Sequence, residues 1–211
     1  MAVSTALDAI RLGSSEVAAL YLGSDSVWTA NAPGMVLLTD YTITHAGTSA
    51  TLTNGQVTFT GVTSLSLDGV FSADFDTYVV AVRGVCNSSN VDINMRLRAS
   101  GTDNSTASSY TRQRIVASNT SVTADRVSED VTIVSTIGSE QRSGFWLNVY
   151  GPFLTQPTAG RSVMIDGTSG ARILDYAFTH NQSASYDGVT LSARNVTRNI
   201  TGALQVYGVR S

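Results

Sequence analysis

Two histidines, one cysteine and sixteen acids are the residues from which this chain would have to build a reactive centre. A Ser-His-Asp relay needs an imidazole held between a nucleophile and an orienting acid. Serine is abundant, but no Gly-x-Ser-x-Gly turn is present to lift one above a sheet. His180 closes the apolar stripe Leu174, Tyr176, Phe178, a place that suits a hydrogen-bonded strand-edge imidazole better than a base. Glycoside hydrolysis needs two carboxyl groups across a cleft. Asp74 and Asp76 flank Phe75, and Asp166, Asp175 and Asp187 follow far along the chain. Thirteen of the acids are Asp and only three are Glu, a balance expected of turn residues. Gly101-Thr102-Asp103-Asn104 resembles the start of a calcium loop but lacks the spaced ligands and the distal Glu. Two distant His and the lone Cys86 make no zinc cage, and no Gly-rich phosphate loop occurs. Cys86, next to Val85, reads as a small core residue. The expectation is a chain with no catalytic centre, no metal and no cofactor.

Recognition is then left to loops, where binding residues concentrate on rigid β scaffolds. Three polar stretches qualify: Ser100 to Ser109, Ser118 to Glu129, and His180 to Asp187. Tyr110 follows the first and Tyr186 lies in the third. An aromatic face stacks on the apolar face of a sugar while amides and hydroxyls pair its OH groups. The candidate ligand-binding residues are Asp103, Asn104, Tyr110, Asn181, Gln182, Tyr186 and Asp187.

The elements that must carry these loops read as strands. Val91 to Arg98 alternates without fault, with Val, Ile, Met and Leu on one face and Asp, Asn and two Arg on the other. Gln56 to Thr60 and Ser64 to Asp68 alternate too, and Thr77 to Val82 is apolar on both faces, as in a central strand. Further strands centre on Ile115, Ile133, Leu147, Val163, Tyr176, Leu191 and Val206, with Gly, Ser, Asn or Asp between them. This cadence predicts an all-β, antiparallel, jelly-roll-like sandwich of about eight to eleven strands. Ser72 to Asp76 reads as one helical turn, and Thr120 to Asp130 as a short helix or a long loop.

Composition narrows the class further. The 211 residues carry a net charge of -3, only 14% charged side chains, thirteen Arg and no Lys. An acidic balance argues against a nucleic-acid partner, which selects for excess positive charge. No run approaches the roughly 18 apolar residues of a membrane span. The N-terminus has no basic region ahead of an apolar run, so a secretory signal is not expected. Asn-x-Ser/Thr triplets such as Asn195-Val196-Thr197 arise by chance in a chain about a quarter Ser and Thr.

The first 28 residues stand apart. Leu12-Gly13-Ser14 followed by Val17 recurs ten residues later as Leu22-Gly23-Ser24 followed by Val27. Short strands with Gly-Ser turns are expected, with a helix over Glu16 to Leu22 as the competing reading. The segment is apolar and too small for its own core, so it must dock, through Leu12, Val17, Leu20, Tyr21, Leu22, Val27 and Trp28. Residues 29–34, with Pro33 and Gly34, read as a linker and residues 35–211 as the head.

Three stretches resemble a family. The opening, Ile10 to Val17, Leu20 to Ser24 and Val27-Trp28, is similar to the N-terminal segment of many tailed-bacteriophage virion proteins. Leu65 to Tyr78, with Arg96 to Gly101 following, resembles the head domains of phage tail fibres and minor tail proteins. Ile200 to Val209 is similar to the strand that closes such heads. The resemblance implies a structural virion protein that docks by its N-terminus on other virion proteins and forms a homotrimer. Its head would bind a host-surface glycan. The short linker leaves no room for a fibre shaft, so a compact tail knob or a capsid decoration protein are the forms implied. A polysaccharide depolymerase is the enzymatic alternative.

Overall fold

The computed structural model describes residues 10–12, 15–17, 19–22, 25–29, 34–139, 143–165 and 172–210. The chain divides into two compact units, one of residues 1–34 with 210–211 and one running from Met35 to Val209.

In the first unit, β1 (Ile10–Leu12) pairs with β2 (Ser15–Val17), and β3 (Ala19–Leu22) with β4 (Asp25–Thr29). Leu12 faces Ser15 in the first hairpin and Leu22 faces Asp25 in the second, so the echo repeats the pairing next to the turn, and a register shift between Leu20 and Tyr21 sets the second hairpin apart. Strands β2 and β3 occupy the stretch where a helix was the competing reading. All seven docking candidates lie on these strands. The Gly-Ser turn residues 13–14 and 23–24 lie outside the described residues, as does the middle of the linker, 30–33.

The second unit is all-β. Its strands are β5 (Gly34–Leu37), β6 (Thr42–Thr53), β7 (Gln56–Asp68), β8 (Thr77–Cys86), β9 (Val91–Ala99), β10 (Thr102–Asp103) and β11 (Tyr110–Ser118). Then come β12 (Ser121–Glu129), β13 (Thr132–Ile137), β14 (Ser143–Tyr150), β15 (Gln156–Ile165), β16 (Arg172–Ala184), β17 (Gly188–Ala193) and β18 (Ile200–Arg210). They form one sheet in the order β10-β9-β17-β7-β18-β8-β14-β15-β16-β11-β12, with β13 on β9, β5 on β18 and β6 on β7. The sheet curls until its two halves face each other as a jelly-roll-like sandwich. Leu67, Val80, Leu97 and Leu204 from one half share a core with Leu147, Met164, Tyr176 and Phe178 from the other. Strand β13 is buried along its whole length between them.

The alternation predicted for β9 is realised: Val91, Ile93, Met95 and Leu97 are buried. Cys86 is buried, as its apolar neighbourhood implied. Two expectations fail. Ser72 to Asp76 is a turn rather than helix, held by a two-way exchange in which Ser72 N–H donates to Tyr78 Oη at 2.7 Å and Tyr78 Oη donates to the Ser72 carbonyl at 2.8 Å. The stretch from Thr120 to Asp130 is strand β12, zipped to β11 over its full length from Ser118↔Ser121 to Tyr110↔Glu129. Asn119, at φ 49°, makes the two-residue turn, a conformation Asn tolerates better than most side chains. The expected loop from Ser118 to Glu129 is therefore sheet, and the strand count exceeds the sequence estimate.

Candidate functional site

The residues singled out from sequence converge at one end of the sandwich, but their two tyrosines turn inward while Asn181 stays exposed. Register places Tyr110 opposite His180. Their rings lie 4.3 Å apart, and Tyr186 meets His180 edge-on at 5.2 Å. All three side chains are buried, His180 completely. Asn104 ties them together. Its Nδ2 donates to Tyr186 Oη at 3.1 Å, and its Oδ1 accepts the Thr106 N–H at 3.1 Å and faces His180 Nε2 at 3.3 Å. Tyr110 Oη accepts the Leu97 N–H at 2.9 Å and donates to the Asn104 carbonyl at 3.3 Å. Burial pushes both phenols up and lowers the His180 imidazole to about 4. A neutral His180 therefore donates from Nε2, while its buried Nδ1 meets no hydrogen-bond partner.

This corrects the expectation that Tyr110 and Tyr186 present their faces to a ligand: those faces pack on His180 and the core. Asp103 is drawn into a second buried knot, where Arg98 pairs with Asp103 and with Asp68 at 2.7 Å, and Thr190 Oγ1 donates to Asp103 at 2.6 Å. The Asp187 carboxylate accepts the Ser100 N–H at 3.2 Å. Asn181 and Gln182 lie on β16 rather than in a loop. Gln182 Nε2 donates to Asn181 Oδ1 at 2.6 Å, and the Asn181 N–H donates to the Ser109 carbonyl at 2.9 Å.

The other end of the same strands is open. A cleft of about 550 Å³ lies there, lined by Arg114, Arg172, Arg194 and Arg198 and, among the described residues, by one acid, Asp92. The register of β11 against β16 explains the arginines. Leu174, Tyr176 and Phe178 must face the core, and they sit opposite Val116, Arg114 and Arg112. Directly opposed residues share a face, so Arg112 and Arg114 point inward and Ile115 points out, 48% exposed. Arg114 Nη2 bonds Asp125 Oδ2 at 2.7 Å, and Arg112 Nη2 approaches the same oxygen at 3.6 Å. Arg194 pairs with Glu129 at 3.2 Å and Arg198 bonds the Ser88 hydroxyl. Asp92 accepts from Thr136 Oγ1 at 2.7 Å, and Thr136 Oγ1 lies 3.0 Å from Tyr176 Oη. Burial pushes the Tyr176 phenol up, against hydrogen bonds to Thr136 and Arg114 that pull it down.

A third feature lies on the outer face. Gln56, Gln205, Ala81 and Trp146 occupy one lateral row across β7, β18, β8 and β14. Ala81 and Ala203 make a shallow floor between the larger side chains, leaving a trough of about 260 Å³. Trp146 stands on one side, 56% exposed, with Gln56 and Gln205 on the other and Arg83 beside them. Arg83 is exposed and has no acid partner among the described residues. This is the pattern sought in the loops, an open aromatic face beside amide donors and acceptors. Sequence reasoning passed over it, although parity marks it. With Phe145, Leu147 and Val149 buried, Trp146 has to face outward.

No protein-family model matches the chain, and no curated protein matches it. Among solved structures, the VIP36 exoplasmic/lumenal domain in its Ca2+/Man3GlcNAc-bound form overlaps at 10% identity over 81% of this chain and 84% of that one, with a TM-score of 0.34. A family 29 carbohydrate-binding module from Piromyces equi overlaps at 9% identity over 83% and 86%, with a TM-score of 0.31. Likeness of this degree assigns neither ligand nor site to this chain.

Proposed function

We propose that the sandwich is a non-enzymatic carbohydrate-binding head carried on a bacteriophage particle and attached through residues 1–28. The observation that carries the binding half is the trough: an exposed indole over an alanine floor, flanked by Gln56, Gln205 and Arg83. The apolar face of a pyranose stacks on such a ring, and its hydroxyls take hydrogen bonds from the amides and the guanidinium. The trough is shallow and lies on regular strands, so a ligand meets a preformed surface with little to reorder.

The virion half rests on the resemblance of Ile10 to Trp28, Leu65 to Tyr78 and Ile200 to Val209 to phage tail proteins. It is supported by the first unit being two short hairpins, which are marginal alone in water and gain from burial against a partner. Deleting residues 1–28 is expected to leave a folded head that no longer joins particles. A truncated protein that incorporates normally would sink the docking role. Quantitative electrophoresis of virions separates a tail knob, present in few copies, from a decoration protein present in many. The homotrimer is checked by light scattering, where a 22.2 kDa species at high concentration would contradict it. Incubation with host polysaccharide is expected to release no new reducing ends.

A further inference from the structure

We infer that the arginine-lined cleft is a second binding site, which takes a sugar-sized anionic ligand by its carboxylate or phosphate. The inference stands on the inward arginines and does not depend on the trough.

Four of the chain's thirteen arginines line this one cleft, although the protein as a whole is acidic. A merely solvated cluster would sit on the outer face of the strands. Here the arrangement is reversed: Arg112 and Arg114 point inward, while Ile115 and Ile173 stand 48% and 56% exposed on the outer side. Turning a guanidinium toward a core is unfavourable unless charge and hydrogen bonds answer it. The answer within the protein is partial. Asp125 is shared between Arg112 and Arg114, Glu129 serves Arg194, and Arg198 has only a neutral hydroxyl and no acid partner among the described residues. An anion at the mouth supplies the missing negative charge, and the planar guanidinium fork suits a carboxylate or phosphate held by two hydrogen bonds.

The remaining wall fixes the size and kind of ligand. A volume of about 550 Å³ falls in the range of small-molecule sites and well short of a polymer groove. Val91, Val116 and Leu174 give an apolar patch, and Asn90, Asn195 and Thr123 give amides and a hydroxyl. That mixture fits a ring with one apolar face, several hydroxyls and one acidic group. A nucleic acid would need an extended positive surface, whereas this cleft is bounded and sits on an acidic protein.

The test titrates the full chain with galacturonate disaccharide, glucose 1-phosphate and neutral glucose by calorimetry, at low and at high salt. At least one anionic probe is expected to bind, more weakly at high salt, while glucose does not displace it. Binding of the uronate alone names the carboxylate, and binding of the phosphate alone names the phosphate. The double variant Arg194→Gln, Arg198→Gln alters two side chains of the β17–β18 connection, Arg194 exposed and Arg198 half-buried. It is expected to weaken binding by about tenfold or more, the loss of charge-assisted contacts. Trp146→Ala leaves anion binding unchanged, so failure of the trough and failure of the cleft are read separately. The proposal is overturned if neither anionic probe binds, or if binding survives the double variant and high salt undiminished.

Discussion

Strands β11 and β16 lie side by side from Tyr110↔His180 to Ser118↔Arg172, and their two ends treat inward polar groups in opposite ways. At the Tyr110 end two phenols, an imidazole and an amide form a buried cluster and bond one another and the backbone. At the Arg172 end they are the guanidinium groups of Arg114 and Arg172, which line a cleft open to solvent. The first arrangement holds the fold closed. The second lines an open cleft with guanidinium donors. An aromatic-rich polar cluster is thus a poor guide to a binding site until its burial is known, because the same residue types make a structural seal.

Substitutions should separate the two ends by what they damage. Tyr110→Ala is expected to be the most destabilising, by about 3–5 kcal/mol in denaturant unfolding, since it empties a fully buried ring site. Next comes acid. His180 titrates near 4 in the folded protein against an ordinary value of 6.5, so the unfolded chain takes up the proton first as pH falls. Its contribution to stability is complete above pH 6.5 and is lost progressively toward pH 4. His180→Gln should therefore flatten the pH dependence of the unfolding midpoint across that window. A variant with the wild-type slope would show that the imidazole is not held neutral. Asn104→Leu leaves the Tyr186 hydroxyl and His180 Nε2 unpaired and should cost about 1–3 kcal/mol. At the open end, Arg198→Gln should change stability by no more than about 0.5 kcal/mol. If it destabilised the protein as much as Asn104→Leu, the contrast between a seal and a site would collapse.

Much of the scaffold was legible because burial on one face imposes a period of two. Val91 to Leu97 could be read directly, and the repeated Leu-Gly-Ser echo anticipated short strands, which the two hairpins realise. What escaped reading was set by partners rather than by local pattern. Strand β12 is largely exposed on both faces, and only its pairing with β11 makes it a strand. On β11 the string Thr-Arg-Gln-Arg-Ile favours arginine outward, and the opposite result follows from the stripe Leu174, Tyr176, Phe178 on its neighbour. The polar stretches did mark chain reversals, but the tyrosines beside them begin or adjoin strands and gain more from burial than from display. The trough assembles Gln56, Ala81, Trp146 and Gln205 from four separate strands, a juxtaposition that exists only in the sheet order.

The claim that rests most on that juxtaposition is carbohydrate binding at Trp146. Retention of the full chain on a panel of immobilised neutral host-surface glycans, wild type beside Trp146→Ala, tests it directly. The wild type should be retained by at least one glycan, and the variant should lose that retention with an unchanged unfolding midpoint. Equal retention of the two proteins, or no retention of the wild type on any glycan, would contradict the account.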